Sequence, residues 1–204
     1  MEPRSVHELF GQPVASSGRD RLVAIGIELF YRNGFQAIGI DNVIAEAGVS
    51  KTTFYKHFDS KDDFVLACIQ TRDAWEMGAW DRAANQLAGD DPRAQLIAFF
   101  DVLDLWFNDD GFRGCYFINA ASEFSDRRDP IHKAAALHKR KNRDHFLALA
   151  QKAGATDPEV FADLYTVILE GTLVLRHVHD RDDAARIMKP RVMEIIDQWI
   201  PAKQ

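Results

Sequence analysis

Ala45-Glu46-Ala47-Gly48-Val49-Ser50-Lys51-Thr52-Thr53-Phe54-Tyr55-Lys56-His57-Phe58 is the stretch whose side-chain order decides how this chain folds. Gly48 tolerates left-handed backbone angles and so permits a tight turn. Ser50 is a good N-cap for the segment after it. Ahead of the turn, Val43, Ile44 and Ala47 give a short helix, Ile40 to Glu46, one apolar face. Behind it, Phe54 and Phe58 do the same for a helix predicted over 51–57, which leaves Lys51, Thr52, Tyr55 and Lys56 pointing outward.

Two short helices joined this way, one bracing and one presenting a polar face, are what a helix-turn-helix requires to enter the major groove. Lysines and a tyrosine hydroxyl reach phosphate oxygens or base edges, and threonine reaches either. The chain has a formal charge of −6, yet from Ser50 to Lys61 it carries Lys51, Lys56, Lys61 and His57 against Asp59 alone. A basic head on an acidic body is consistent with site-specific DNA binding, for which local charge matters more than the total. Lys61 opens a further helix, where a cation opposes the helix dipole, so its place there suggests a role other than helix stability.

Working outward, helical spacing persists through the whole chain. Leu22, Ile25, Leu29 and Phe30 form a first helix stopped by Asn33-Gly34. A long helix runs from Lys61 past Trp80 and ends before Gly89; Asp91-Pro92 opens another that continues through Trp106 and Phe107. Gly114 to Phe124, Ile131 to Lys152, a segment from Thr156-Asp157-Pro158 to His179, and one from Asp182 or Asp183 to Trp199 complete the series. Strand-like alternation is absent. The expected fold class is all-α, with about nine helices.

A chain of 204 residues, 47% apolar and 27% charged, is long enough for a large core. No apolar run approaches the length needed to span a bilayer, and residues 1–18 lack the continuous apolar segment of a secretory signal. Their Pro, Ser and Gly content predicts a flexible N-terminal arm. Two cysteines, Cys68 and Cys115, are too few for a disulfide framework and fit a reducing cytoplasm.

The run from Ala45 to Phe58, followed by Ser60-Lys61-Asp62-Asp63-Phe64, closely resembles the DNA-binding signature of TetR-family regulators, with Leu29-Phe30 and Gly34-Phe35 in matching places upstream. Ile38-Gly39 departs from that signature, where threonine or serine is common, and Thr52 stands where glycine is frequent. The resemblance implies a three-helix DNA-binding domain over 19–62 and a ligand-binding and dimerisation domain over 63–204. It makes Thr53, Tyr55 and Lys61 phosphate contacts and Lys51, Thr52 and Lys56 base-edge candidates. It also implies a homodimer formed through the last two helices, about 158–179 and 183–199, reading a palindromic double-stranded DNA operator and released by a small-molecule inducer. Repression is the implied action; an activator would use the same head.

The body is expected to hold the effector. Trp75, Phe99, Leu103, Trp106 and Tyr116 are apolar or aromatic candidates for a pocket, and Asn119, Glu123, Tyr165, Glu170 and His177 are polar residues on otherwise apolar helices, suited to orienting a ligand. For any one of the aromatics a plain core is the preferred reading, with some of them expected to line a cavity. Gly114 to Phe124 resembles a segment recurring in one TetR-like subgroup and is expected to act as a hub between head and body. Cys115 invites a redox role, but neither a lysine nor a second cysteine sits near it to lower its pKa, which favours a buried structural thiol.

Two rival classes fare worse. An enzyme would need a nucleophile elbow, a phosphate-cradling loop, a dinucleotide fingerprint or a metal-ligand pair, and none is present. No cofactor or metal is expected. A sequence-indifferent architectural protein would bind by salt-governed charge alone, which the acidic total disfavours.

Overall fold

The computed structural model describes residues 9–10 and 17–201. Among these, helices follow in the order α1 (Gly18–Asn33), α2 (Ile40–Ala47), α3 (Lys51–Tyr55), α4 (Lys61–Ala88), α5 (Pro92–Phe107), α6 (Tyr116–Glu123), α7 (Pro130–Ala153), α8 (Pro158–His179) and α9 (Ala184–Trp199). The chain is all-α, as its periodicity predicts. The predicted arm falls mostly outside the described residues; within its span Leu9 and Phe10 are helical and buried, and Ser17 caps α1.

The caps explain where helices start. Ser17 Oγ accepts from the Asp20 N–H while Asp20 accepts from the Ser17 N–H, a reciprocal capping box. Ser50 Oγ accepts from the Thr53 N–H, Asp91 from Arg93 and Asp157 from Val160, the last two ahead of prolines in the first turn. At α2 the cap position is Gly39, which has no side chain; Asn42 Oδ1 instead accepts the Gly39 N–H at 3.0 Å. Two predicted bounds shift by two residues, and others by one. α3 ends at Tyr55 rather than His57, and α6 begins at Tyr116 because Gly114, at φ +83°, lies outside helical backbone angles.

The described residues divide into two compact units, which do not follow the expected boundary at residue 62. One comprises 17–76 and 115–139; the other comprises 9–10, 77–114 and 140–201. Helices α4 and α7 therefore contribute to both.

The first unit is built on aromatic packing. Phe30, Phe35, Phe54, Phe58 and Phe64 are all buried, with Phe64 lying 4.8 Å from Phe58 and 5.2 Å from Phe54, ring centre to ring centre. Gly26 on α1 has no side chain because Phe64 and Cys68 fill the space: a Cβ there would lie 2.4 Å from Phe64 Cζ and 2.9 Å from Cys68 Sγ. Cys68 is fully buried, and burial pushes its thiol well above the usual range, so it is a packing residue. Cys115 is also buried.

A buried polar cluster completes this unit. His138 Nδ1 lies 2.8 Å from Asp73 Oδ1, and its ring stacks on Phe117 with centroids 3.4 Å apart. Its Nε2 faces Glu76 Oε1 at 4.0 Å, while Glu76 Oε2 accepts from Arg72 Nε at 2.7 Å. Burial lowers the His138 pKa, and that effect outweighs the opposing pull of Glu76 and Asp73; Lys139 adds to the lowering. Burial is the largest single effect and works against ionised Glu76, but Arg72, His138 and Lys139 together hold the carboxyl below its ordinary range, His138 helping only when protonated.

A histidine whose folded pKa is depressed leaves the unfolded chain binding more protons between the folded value and about 6.5, so stability rises with pH across that window. His145 in the second unit shifts in the same direction, again through burial. The urea midpoint is therefore expected to fall from about pH 7.5 to about pH 5.5, and His138→Gln to flatten part of that fall. A variant with the full wild-type pH dependence would show that His138 is not the proton-sensitive group.

In the second unit α9 packs chiefly on α5 and also on α8. Phe99, Phe100, Phe146, Phe161 and Tyr165 form its core, and the Tyr165 hydroxyl donates to the Leu96 carbonyl at 2.7 Å. Lys189 bridges to Asp101 at 2.5 Å, and Arg93 pairs with Asp197.

Candidate nucleic-acid interface

α3 turns Phe54 fully inward and its polar residues out. Lys51, Thr52, Tyr55 and Lys56 line one open concavity, and Tyr55 is 46% exposed despite its aromatic ring. Thr53 has a different job in the free protein: its Oγ1 lies 2.9 Å from Ser50 Oγ and its N–H is the capped amide. Lys51 reaches Asp41 at 3.4 Å, but both side chains are well exposed, so the pairing is weak and exchangeable with an external anion. His57 is exposed beside this face. Gly48, at φ +62°, supplies the left-handed residue that lets α2 and α3 meet at the required angle.

Lys61 is held from an unexpected direction. Its Nζ donates to the Gln36 carbonyl at 3.2 Å, in the turn between α1 and α2. The same turn is gripped from the other side by Glu123 at the end of α6. Its two carboxylate oxygens accept from the Phe35 N–H at 2.9 Å and the Gln36 N–H at 2.7 Å. Glu123, expected to orient a ligand, thus accepts from two backbone amides of the first unit.

The other effector candidates are drawn from both units. Trp75, Tyr116, Asn119 and Glu123 belong to the first unit, and Phe99, Leu103, Trp106, Tyr165, Glu170 and His177 to the second. Phe99, Leu103 and Tyr165 are core residues. Trp106 packs against Trp80 and Phe112, and the His177 ring lies where a Cβ on Gly114 would fall, 2.5 Å from its Nδ1. Trp75 lies under the Arg72 guanidinium at 4.5 Å. The Tyr116 hydroxyl is buried with no hydrogen-bond partner among the described residues, and burial pushes its pKa well up.

A cavity of about 450 Å³ in the second unit takes in Phe99 but none of the other candidates; Asp81, Gln95, His145, Leu149 and Lys152 also line it. These residues come from α4, α5 and α7, whose helical spacing gave no sign that they converge. Among the described residues no group of His, Cys, Asp and Glu could hold a metal ion, and no helix is long and apolar enough to cross a membrane.

Comparison with known proteins agrees with this geometry. Residues 22–68 match the profile of bacterial regulatory proteins of the tetR family, and residues 92–192 that of the tetracyclin repressor-like C-terminal domain. The transcriptional regulator AcuR of Cereibacter sphaeroides is 28% identical over 85% of this chain and 82% of its own length. The transcriptional activator FasR of Mycolicibacterium smegmatis is 35% identical over 42% of this chain and 40% of its own. Among solved structures, a TetR-family transcriptional regulator from Streptomyces coelicolor superposes with a TM-score of 0.81 at 26% identity, covering 94% of this chain and 98% of that one. The reduced form of NemR from E. coli shares the fold, with a TM-score of 0.79 at 21% identity over 91% of this chain and 99% of that one.

Proposed function

We propose a function from one premise: the chain belongs to the TetR family of bacterial regulatory proteins and is a DNA-binding transcriptional regulator, not an enzyme. On that footing it is a cytoplasmic repressor that binds a palindromic operator as a homodimer and is released by a small-molecule inducer. The observation that carries the DNA-binding role is the α3 face, where Lys51, Thr52, Tyr55 and Lys56 stand together and exposed above a buried Phe54. Thr53, Tyr55 and Lys61 take phosphates, and Lys51, Thr52 and Lys56 take base edges.

The dimer reading rests on α8. Val160, Val167, Val174 and Val178 are exposed at spacings of seven, seven and four, a single stripe along one helix face, with Val167 and Val178 at 68% and 67% exposure. Ile187 and Met193 add exposed apolar surface on α9. A second copy covering this stripe forms a four-helix contact. Two-fold symmetry then places the α3 helices in half-sites ~34–36 Å apart.

The inducer acts by differential affinity for the operator-competent state and for states with other spacing. Among the described residues, the buried Tyr116 hydroxyl and the cavity at Phe99 are two places where a ligand gains from groups already present. The test is a titration against duplexes that the protein itself selects from a random-sequence library. Recovered palindromes, with a scrambled duplex bound at least a hundredfold more weakly at about 0.15 M salt, support the repressor reading over sequence-indifferent binding. Operator affinity that stays constant across small molecules bound by calorimetry would remove the inducer from the account.

A further inference from the structure

We propose that Glu123 is a positioning residue for DNA binding: its carboxylate holds the backbone N–H groups of Phe35 and Gln36, and the Gln36 carbonyl, one peptide group further on, holds the Lys61 ammonium in place. The inference rests on Lys61 being a phosphate contact, as assigned above.

The geometry is a grip on three successive peptide groups, the first two through their N–H and the third through its carbonyl. Glu123 Oε1 accepts from the Phe35 N–H and Oε2 from the Gln36 N–H, at 2.9 and 2.7 Å. Successive backbone N–H groups aimed at one carboxylate form an anion-binding nest, and charge-assisted bonds of this length are among the stronger ones. Gly34 makes the nest possible. It sits at φ +89°, and a Cβ there would lie 3.1 Å from Glu123 Oε1.

Phe35 is held at its ring as well as its amide, 5.0 Å from Tyr116 and 6.1 Å from Phe124 by ring centroids. The segment 116–124 therefore fixes Phe35 at ring and amide, and Glu123 fixes the peptide that follows it through the Gln36 N–H. One peptide group on, across the Gln36 Cα, Lys61 Nζ donates to the Gln36 carbonyl at 3.2 Å. An ammonium has three donors, so one is spent on the carbonyl and two remain for phosphate oxygens. A lysine held in this way loses less rotamer freedom when DNA arrives. It also accounts for a cation at the start of α4, where the helix dipole disfavours it.

The alternative is that Glu123 only braces the turn, and salt dependence separates the two. The affinity of the full chain for its library-selected duplex is measured against salt for the wild type, Lys61→Met, Glu123→Gln and the double variant. Each phosphate contact contributes about 0.9 to the slope of log affinity against log salt. Lys61→Met is expected to lower the slope by about that amount, Glu123→Gln to lower it comparably, and the double variant to lower it no further than either alone. A Glu123→Gln protein that melts earlier but keeps the wild-type slope makes Glu123 a brace and overturns the inference, while Lys61→Met still lowers the slope. An unchanged slope in Lys61→Met overturns both the inference and the assignment of Lys61 itself. Should Glu123→Gln fail to fold, Glu123→Asp serves instead, because the shorter acid keeps the charge but cannot reach both amides. It is read by the same slope.

Discussion

Gly171→Glu is expected to make the protein monomeric and to weaken operator binding by about a hundredfold or more, without unfolding the protomer. Gly171 lies within the exposed stripe of α8, between Val167 and Val174, and a Cβ there would meet nothing within 4 Å. The protomer therefore accommodates any side chain at this position, and the cost arises only when a second copy covers the stripe. Burying an uncompensated carboxylate costs about 3–5 kcal/mol, and a two-fold interface brings in two of them. Sedimentation equilibrium reads the monomer, and a DNA titration reads the loss of paired half-sites.

Gly171→Ala makes the same point with opposite signs. In an exposed helix, alanine gains about 1 kcal/mol over glycine. If α8 crosses its partner at Gly171, the added methyl instead holds the two helices apart and weakens the dimer. A Gly171→Glu protein that remains dimeric with wild-type operator affinity would exclude this face of α8 from the interface.

The second large effect lies at Gly26. Glycine to alanine in the middle of α1 would ordinarily stabilise the helix by about 1 kcal/mol. Here the new Cβ would lie 2.4 and 2.7 Å from two ring carbons of Phe64 and 2.9 Å from Cys68 Sγ, and both neighbours are fully buried. Neither has free space to move into, and overpacking a filled core costs about 1–3 kcal/mol, more for a larger side chain. The sign therefore reverses. For a chain of this size each kcal/mol moves the melting temperature by about 2–4 °C, so Gly26→Ala is expected to melt several degrees lower and Gly26→Val lower still. Because Phe64 packs against Phe54 of α3, operator affinity is expected to fall with it. Calorimetric melting checks the first effect; a Gly26→Ala protein more stable than wild type would refute the packing argument.

What the residue order disclosed was local. The turn at Gly48, the Ser50 cap and the outward Lys51, Thr52, Tyr55 and Lys56 all follow from neighbours within a few positions, and so did the helices. Glu123 shows the opposite case. Nothing near it reveals that its carboxylate holds amides 87 and 88 residues earlier, so as a charge on an apolar helix it passes for a ligand contact. Tyr165 is a like case: its hydroxyl donates to the Leu96 carbonyl, 69 residues earlier in the chain. The residues around the Phe99 cavity come from three helices distant in sequence, and their convergence has no periodic signature.

The unit that carries α1, α2 and α3 is drawn from two separated stretches, 17–76 and 115–139. This bears on how such a protein is rebuilt by recombination. A chimera cut after residue 62 would transplant the Phe35 and Gln36 amides without Glu123, and Phe54 and Phe58 without Phe64. The graft would carry every side chain proposed to read DNA and lack much of what holds them. A transplant that moves both stretches together keeps the acid with its amides, and a donor whose hub segment differs should fail even where its head is identical.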